Sequence, residues 1–480
     1  MHLQQTKALQ AIKSNFTPNL SPVFNMANIN IGILRVFVLV TLLASSVIKT
    51  EAQNTRKNVT AAGEVRDTTY KNTDTILTLR QCIDYAMLHQ PALNKANINI
   101  DITKTTNAIN LSGLLPQVNA SGNLVHYLQQ NNPGTTNTGV ANTFIPQLAV
   151  TQSLFNPNLL YLKRSASLYV TQAQQVTDST KIFLVASVTK SFYNLLLTLE
   201  QINVLKEDTA RLGKNVVDTY HQYKGGIVDE TDYDEATITL NNSKAQLKQA
   251  KENVIPQYAT LKQLIGYPTE KQFNVAFDTL QMVRDINVDT TEQLQYQKRI
   301  EFQQINTARG LQNQLVDYYK TSYLPTVSAF FNYNLEFANN RFPDLFQNNY
   351  PTSLVGVSIS VPIFTGFSRI NNLHRAQLQE KLIDWDQTDL KLRIYTEYTT
   401  ALANYKANRY NLQVLKNNVD LASRVYFIVT LQYKQGIIPY LNVITAESNL
   451  ITSKISYLNA LFQVLSSKVD LEKSMGNITY

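Results

Sequence analysis

Residues 367–435 read FSRINNLHRAQLQEKLIDWDQTDLKLRIYTEYTTALANYKANRYNLQVLKNNVDLASRVYFIVTLQYKQ and contain neither Gly nor Pro. Gly366 and Gly436 flank the stretch, and Gly favours the end of a helix because its backbone loses most entropy on ordering. In the second half of the stretch apolar residues recur at alternating spacings of four and three, with Arg409 filling one position: Tyr398, Leu402, Tyr405, Leu412, Leu415, Val419, Ala422, Tyr426, Val429 and Tyr433. This rhythm keeps one seam on one side of a helix. It predicts a helix over 367–435, about 100 Å long at a rise of about 1.5 Å per residue.

A helix of this length needs partners of similar length, since the average globular helix has about three turns. The first half of the chain supplies one, because 158–212 also lacks Gly and Pro and carries the seam Val185, Val188, Phe192, Leu195, Leu199 and Ile202. We expect this second long helix to end near Tyr223. Pro256 is expected to kink the shorter helix that returns from the turn. Further shorter helices are predicted over 78–115, at the start of the second half and over 440–475.

Two pairs of extended segments interrupt the helices. In the clearer pair, apolar and polar residues alternate, with apolar residues at Val327, Ala329, Phe331, Tyr333, Leu335 and Phe337 and at Val355, Val357, Ile359, Val361 and Ile363. An apolar face and a polar face over about ten residues match a strand that crosses a bilayer at a tilt. A half-buried hairpin on a soluble core gives the same alternation. The first pair, 116–127 and 144–155, alternates less cleanly.

The second half of the chain repeats the first. Leu115–Ala120 reads LPQVNA and Leu324–Ala329 reads LPTVSA, at an offset of 209 positions. Tyr223–Val228 reads YKGGIV and Tyr433–Ile438 reads YKQGII, at an offset of 210. So small a change in offset indicates that one unit was duplicated. Each unit is predicted to be a helix, a strand hairpin, a very long helix, a tight turn and a medium helix.

Four strands per chain are too few to close a transmembrane barrel, for which about eight is the practical minimum. Lipid tolerates no open sheet edge, because unpaired backbone groups are costly there. The long helices are likewise too few to enclose a pore alone. The sequence therefore predicts a mainly α protein with a β-barrel contribution, built from a duplicated unit of very long coiled-coil helices plus four strands per chain, which is completed by other copies.

Residues 1–52 are expected to be a signal peptide with an extended leader. Arg35 precedes the short apolar run 36–44, and Ala52 supplies a small residue at the end. The run is too short to span a bilayer as a helix, which takes about 20 residues. Met26 is an alternative start. Residues 53–76 are polar and aperiodic, and are expected to form a flexible mature N-terminus. No other segment is expected to be a membrane helix.

Composition gives little support to several other functions. The net charge is +8, but no Lys/Arg run occurs, so nucleic acid is not an expected partner. The single Cys, Cys82, excludes an intramolecular disulfide and is not placed for acylation of a mature N-terminus. The five His are scattered, and no nucleophile elbow, P-loop or dinucleotide fingerprint is present. We therefore expect neither enzymatic activity nor a bound cofactor or metal ion. Trp385 and the Tyr residues of the long helix are expected to be seam residues rather than a ligand site.

The duplicated layout, the LPxVxA strand starts and the segment YKQGIIPYLNVITAESNL (433–450) resemble the TolC-type outer-membrane efflux proteins. The resemblance covers essentially all of 77–480. It implies a homotrimer with a twelve-strand barrel in the lipid of the outer membrane and a twelve-helix tunnel in the periplasm of a Gram-negative bacterium. It also implies the exit duct of a tripartite efflux pump or of a type I secretion system. The partners would be a periplasmic adaptor (a membrane fusion protein) and an inner-membrane transporter.

The expected organisation follows from the repeat and the resemblance. After the leader and the flexible segment come a first repeat, an equatorial linker and a second repeat, at 77–266, 267–289 and 290–480. The hairpins are expected at 116–155 and 325–364, the long helices at 158–223 and 367–435, and the return helices at 229–264 and 440–475.

The two tight turns lie at the ends of the rods farthest from the strands, so they are the predicted periplasmic tips. Gly226 and Gly436 permit the reversal because Gly adopts positive φ at little cost. The pairs Ile227–Val228 and Ile437–Ile438 would then be exposed apolar residues, which marks an interaction site. In the family the matching turns dock the adaptor's helical hairpins, so these residues are candidate docking tips. Alternatively, they only hold together the two helices of each hairpin.

The family narrows its tunnel entrance with residues close to these turns. Asp232 and Tyr433 match residues that link neighbouring hairpins there. Asn442 and Thr445 occupy the places of an acidic ring found in some relatives, so a charged ring from the second hairpin is not expected. Ile438 stands in the place of a basic locking residue of relatives.

The first tip is acidic instead, with Asp229, Glu230, Asp232, Asp234 and Glu235 within seven residues. Tripled in a trimer, this cluster could favour cations at the mouth. It could equally be a helix N-terminus whose charges complement the macrodipole.

The competing hypothesis is a secreted coiled-coil scaffold or adaptor without a channel. The strand hairpins discriminate between the two, because a scaffold has no need of apolar alternation in them. The sequence does not indicate the transported substrate or the class of transporter.

Overall fold

The computed structural model describes residues 76–128, 140–276, 282 and 286–480. The expected signal peptide 1–52 and nearly all of the expected flexible segment 53–76 lie outside this part of the chain. The described helices are α1 Leu79–His89, α2 Pro91–Leu111, α3 Pro157–Lys224, α4 Glu230–Ile265, α5 Ile300–Thr321, α6 Ser368–Lys434 and α7 Tyr440–Met475. The described strands are β1 Ile76–Leu77, β2 Gln117–His126, β3 Asn142–Phe155, β4 Asn274–Val275, β5 Thr326–Asn339 and β6 Asn349–Ser360.

Two helices, α3 and α6, are 68 and 67 residues long. At about 1.5 Å per residue each spans about 100 Å, as the sequence predicts. Helix α3 begins where Asn156 accepts a hydrogen bond from the Asn158 amide at 2.9 Å, with Pro157 in the first turn, where its missing N–H costs nothing. The predicted seam of α6 is confirmed, because its ten apolar residues are all buried or half-buried in the structure.

Four strands form one antiparallel sheet in the order β2-β3-β5-β6. Val118 pairs with Val150 in the first hairpin, and Val327 pairs with Ile359 in the second. Strands β3 and β5 join the two hairpins, with Phe144 opposite Phe337 and a register shift between Ser153 and Phe155. Within the part of the chain that the structure describes, the outer strands β2 and β6 have a partner on one side only.

The largest buried cluster lies where both repeats meet the linker between them. It includes side chains of α1, α3, α4, α6 and α7 together with Phe273 and Met282 of the linker. Tyr405 of α6 is fully buried, and its hydroxyl donates to the carbonyl of Ile286 at 2.7 Å. This bond ties the middle of a long helix to the linker.

The expectation of one helix over 78–115 was wrong, because the structure has α1 and α2 with a break at Gln90. Gln90 is extended (φ −67°, ψ 120°), and the following Pro91 disfavours helical geometry in the residue before it. The side-chain amide nitrogen Nε2 of Gln90 donates to the carbonyls of Gln263 and Leu264 at 3.1 and 2.9 Å. These carbonyls end α4 and lack partners inside the helix, so the break satisfies them.

The second repeat uses the matching position in the same way. Arg299 precedes α5 at the offset of 209 from Gln90, and its guanidinium donates to the Ser474 carbonyl near the end of α7 at 3.0 Å. Gly266 and Gly476 end the two return helices at φ 71° and 76°. A Cβ on either Gly would come within 2.6 or 2.8 Å of a backbone carbonyl oxygen. The duplication is therefore preserved in the tertiary contacts.

The flexible N-terminal segment was expected to run to residue 76, but Ile76 already belongs to strand β1. Ile76 pairs in parallel with Asn274 and Leu77 pairs with Val275. This pairing anchors the start of the first repeat to the linker. A two-residue strand whose partner lies about two hundred positions away leaves no periodic signal in the sequence.

A second expectation needs correction, namely that no segment beyond the leader is apolar enough for a membrane helix. Helix α3 contains an 18-residue window with a mean hydropathy of 1.5, which is long and apolar enough to cross a membrane. Of that window, 56% is buried inside the protein. Composition alone does not distinguish side chains that pack on other helices from side chains that face lipid.

Candidate functional site

The two tight turns have the same backbone geometry. In the first turn Gly226 adopts φ 71°, its amide donates to the Tyr223 carbonyl, and the Ile227 amide donates to the Gln222 carbonyl at 2.9 Å. In the second turn Gly436 adopts φ 70°, and the Ile437 amide donates to the Gln432 carbonyl at 3.0 Å. This 6→1 bond satisfies a helix-terminal carbonyl, and the positive φ favours Gly.

Each turn presents one prominent apolar side chain to solvent. Ile227 is 76% exposed and Ile437 is 69% exposed, whereas Val228 and Ile438 are half-buried. In each pair the residue next to Gly is therefore the more exposed one.

Near the second turn, Tyr433 links the two long helices. Its hydroxyl donates to Oε1 of Gln222 at 2.6 Å, and its ring lies 5.3 Å from that of Tyr440. Burial and then the negative charge of Asp232 raise the pKa of Tyr433. The structure therefore brings Tyr433 and Asp232 near each other, but the hydrogen bond of Tyr433 goes to Gln222.

The other expected aperture residues lie on exposed surfaces. Asn442 and Thr445 of α7 are both exposed. Asp229 precedes α4 and is exposed, and its side chain makes no capping hydrogen bond. Glu230 and Asp232 lie in the first turn of α4, where negative charge complements the helix macrodipole.

Sequence reasoning missed a buried ionic cluster above the turns. Glu447 of α7 is 0% exposed, and Asp208 of α3 is 1% exposed. Arg211 of α3 joins them, with Nε 2.5 Å from Glu447 Oε1 and an Nη 2.6 Å from Asp208. Ser243 of α4 donates to Asp208 at 2.9 Å. The cluster thus connects the helix hairpin of the first repeat to that of the second.

Two carboxylates share one guanidinium in this cluster. Burial raises the pKa of Asp208 and of Glu447 against the attraction of Arg211. The Arg211 guanidinium also lies 5.2 Å from the ring centre of Tyr426. The signal was present in the sequence, because Glu447 occupies a position of the buried stripe Tyr440, Val443, Ala446 and Leu450.

Comparison with known proteins decides the family. A family model described as outer membrane efflux protein matches residues 82–267 and 293–477. The chain belongs to the outer membrane efflux protein family. The two matched segments each cover one unit of helices and strand hairpin, in agreement with the duplication.

Named relatives of this efflux protein are similar along most of their length. It is 21% identical over 411 residues to the probable efflux pump outer membrane protein TtgC of Pseudomonas putida KT2440, with 84% of this chain and 83% of the relative covered. It is 19% identical over 416 residues to the outer membrane protein TolC of Escherichia coli K12, with 83% and 82% covered.

Solved structures share its fold. The Campylobacter jejuni CmeC outer membrane channel has a TM-score of 0.70 and 19% identity, over 83% of this chain and 85% of that one. The open state of the Neisseria gonorrhoeae MtrE outer membrane channel has a TM-score of 0.66 and 18% identity, over 83% and 88%. The predicted helix-rich fold with a strand contribution is confirmed.

The family places this efflux protein in the outer membrane as an exit channel, as the sequence predicts, and it does not favour the scaffold hypothesis. Its relatives are channel proteins rather than enzymes. Among the residues that the structure describes, no group of three or more His, Cys, Asp or Glu is placed to hold a metal ion.

Proposed function

We propose that three copies of this chain form one passive conduit across the outer membrane. The observation that carries the proposal is the four-stranded sheet with an unpaired edge on β2 and another on β6. Lipid does not tolerate such edges, so each must pair with another copy. Three copies give twelve strands, which exceeds the minimum of about eight for a transmembrane barrel.

Strand direction supports closure by identical copies. Neighbours are antiparallel throughout the order β2-β3-β5-β6, so β2 and β6 run in opposite directions. If β6 of one copy pairs with β2 of the next, the antiparallel alternation continues around the ring. The outward apolar residues Val355, Val357 and Ile359 are 81, 59 and 65% exposed, as side chains that face lipid would be.

The helices would form the periplasmic part of the conduit. We propose a first repeat at 77–266 and a second at 290–480, with the linker 267–289 and the C-terminal residues forming an equatorial girdle around the middle of the tunnel. The parallel pair β1–β4 and the buried Tyr405 support a girdle at this level. Helices α3 and α6 would run the length of the tunnel.

We propose that the tips dock a periplasmic adaptor, which in turn contacts an inner-membrane transporter of an efflux pump or a type I secretion system. The docking residues are Gly226, Ile227, Val228, Gly436, Ile437 and Ile438. The exposed Ile227 and Ile437 support this role, because apolar side chains on a turn favour a partner that covers them. Several relatives carry the words efflux pump in their names.

The periplasmic aperture is assigned to Asp229, Asp232, Tyr433, Asn442 and Thr445. The bond between Tyr433 and Gln222 holds the two long helices of one chain together at this level. Because Asn442 and Thr445 are exposed and uncharged, the ring they would form offers hydrogen bonds rather than a fixed negative charge. We propose passive conduction and no catalysis.

The experiment measures the mass and the conductance of the protein extracted from outer membranes in detergent. We expect a particle of three chains that resists SDS until heated, and single channels of one conductance level in planar bilayers. A mock extract from cells without the protein is the control. A particle of one or two chains, or three chains that leave the bilayer non-conducting, would refute the proposal.

A further inference from the structure

A cavity of about 320 Å³ lies between α3, α6 and α7, just above the turns. Its walls include Tyr426, Tyr433 and Tyr440, with Asp218 and Lys434 also lining it. The family assignment does not account for this cavity. Its volume is at the lower end of the range of about 300–1,000 Å³ typical of small-molecule sites.

Two buried hydroxyls in the cavity wall lack hydrogen bonds. Tyr440 is 3% exposed, and its hydroxyl has Thr219 as a polar neighbour but no hydrogen bond of acceptable geometry. The Thr219 hydroxyl donates to the Asn215 carbonyl at 2.8 Å. The buried hydroxyl of Thr430 likewise has the Tyr426 hydroxyl as a polar neighbour but no hydrogen bond of acceptable geometry. Buried polar groups in folded proteins nearly always have a partner, so two unpaired hydroxyls in one cavity point to a bound group.

The rings of the wall favour a cation. Arg211 already places its guanidinium 5.2 Å from the ring centre of Tyr426. The ring planes of Tyr433 and Tyr440 are inclined to each other by 49°, and their centroids are 5.3 Å apart, so the two rings are not stacked face to face. Aromatic faces attract cations within about 6 Å of the centroid.

The charges around the cavity are negative on balance. Asp218 and Asp232 both raise the pKa of Tyr433, and Glu447 raises the pKa of Tyr440, after burial in each case. The acidic groups in and around the wall are Asp208, Asp218, Asp232 and Glu447, four against the three basic groups Arg211, Lys434 and Lys454. Arg211 is held by Asp208 and Glu447, so the field at the unpaired hydroxyls attracts positive charge.

We propose that this cavity binds a small organic ammonium ion with an aromatic or short aliphatic body. The ammonium group would donate to the hydroxyl oxygens of Tyr440 and Thr430, and the body would pack on the tyrosine rings. An anion would be repelled by the carboxylates, and a neutral molecule could not form charge-assisted hydrogen bonds with the two hydroxyls. Bound between α3 and α6, the ligand would reinforce the link that Tyr433 and Gln222 already make.

The test compares two probes of nearly equal shape, benzylammonium and benzyl alcohol, on the full-length protein in detergent. Isothermal titration calorimetry measures both dissociation constants. Benzylammonium should bind at least about tenfold more tightly than benzyl alcohol, because only it carries the charge. No adaptor or transporter is present, so failure here is separate from failure of the proposed conduit.

Two variants locate the site. Tyr440→Phe combined with Thr430→Val removes both hydroxyls with little change of shape, and should weaken benzylammonium binding at least about tenfold. Tyr410→Phe, at a residue of α6 that is 71% exposed, should leave it unchanged. Because the Tyr440 hydroxyl has no partner, Tyr440→Phe alone should not lower the melting temperature.

The proposal is overturned if the two probes bind equally, if neither binds, or if the double variant retains the wild-type affinity. In each case the cavity would hold water that satisfies the two hydroxyls. Selective binding that the double variant loses and Tyr410→Phe retains supports it.

Discussion

Replacing Arg211 by Leu should destabilise the helical hairpins near the two tight turns more than any other single change in the ionic cluster. Arg211 is the guanidinium partner of Asp208 and Glu447, whose side chains are 2% and 0% exposed. Without it, two carboxylates would remain buried with no cation bonded to them. Removing one partner of a buried ion pair costs about 3–5 kcal/mol. The loss should appear where α3, α4 and α7 meet.

Hydrogen–deuterium exchange with mass spectrometry measures this loss locally. Amides of 205–219 and 443–450 exchange through local opening, whose free energy differs from one region of a protein to another. A cost of about 3–5 kcal/mol corresponds to opening that is about two to three and a half orders of magnitude more frequent. Peptides from β5 and β6 should not change, since these strands make no contact with the cluster.

A matched variant separates charge from packing. Glu447→Gln keeps the shape of the side chain and leaves Arg211 paired with Asp208, so we expect a much smaller increase in exchange than for Arg211→Leu. Equal exchange in Arg211→Leu and wild type would refute the idea that the guanidinium holds the hairpins together. So would an increase of the same size in peptides from the sheet.

Burial raises the folded-state pKa of Asp208 and Glu447 above their ordinary values of 3.8 and 4.5, so protonation should stabilise the cluster as the pH falls from 7 towards 4.5. Hydrogen exchange, corrected for its intrinsic rate, should therefore slow over that pH window in the wild type. It should slow less in Glu447→Gln, which has lost one of the two titrating groups. Ile227→Asp combined with Ile437→Asp should abolish efflux in cells, because it removes both exposed apolar side chains of the tips. The amount of assembled protein should stay unchanged, because exposed substitutions shift stability by only about 0.5 kcal/mol. Ile238→Asp on α4, at a residue that is 59% exposed, is the control for added surface charge. Gly436→Ala should lower the free energy of unfolding by about 1–2 kcal/mol, because Ala is strained in the left-handed backbone conformation. Gly476→Ala should lower it more, because the new Cβ would also meet the Lys298 carbonyl oxygen at 2.8 Å. A larger loss of thermal stability for Gly436→Ala than for Gly476→Ala would contradict this.

The elements that repeat along the chain could be predicted from the sequence. Gly and Pro mark the ends of both long helices, so the bounds expected for α6 differ from the observed ones by one residue at each end. The strand hairpins follow from alternation, and the turns follow from YKGGIV and YKQGII. These signals are local, so no knowledge of the tertiary structure was needed to read them.

The features that were missed depend on contacts between distant segments. The break at Gln90 is stabilised by the carbonyls that end α4, and β1 pairs with a strand about two hundred residues away. The ionic cluster depends on the relative register of α3 and α7, which periodicity within one helix does not determine. Trp385 was expected in a seam, yet it is 72% exposed in the single chain, because the unpaired face of α6 was not distinguished from the packed one.

Disulfide cross-linking between β2 and β6 of different copies tests the central claim most directly. One Cys replaces Ser121 on the exposed edge strand β2, and a second replaces each residue of β6 in turn. Native Cys82 should not interfere, because it is fully buried and burial raises the pKa of its thiol to about 12. Single-Cys variants are the controls.

Because β2 and β6 are expected to close one ring, at least one pair should give covalent species of two and three chains after oxidation in membranes, and none larger. A ladder that continues beyond three chains would mean an open polymer rather than a closed ring. Chains that remain single at every position of β6 would mean that the two edges do not meet. Either result would contradict the account.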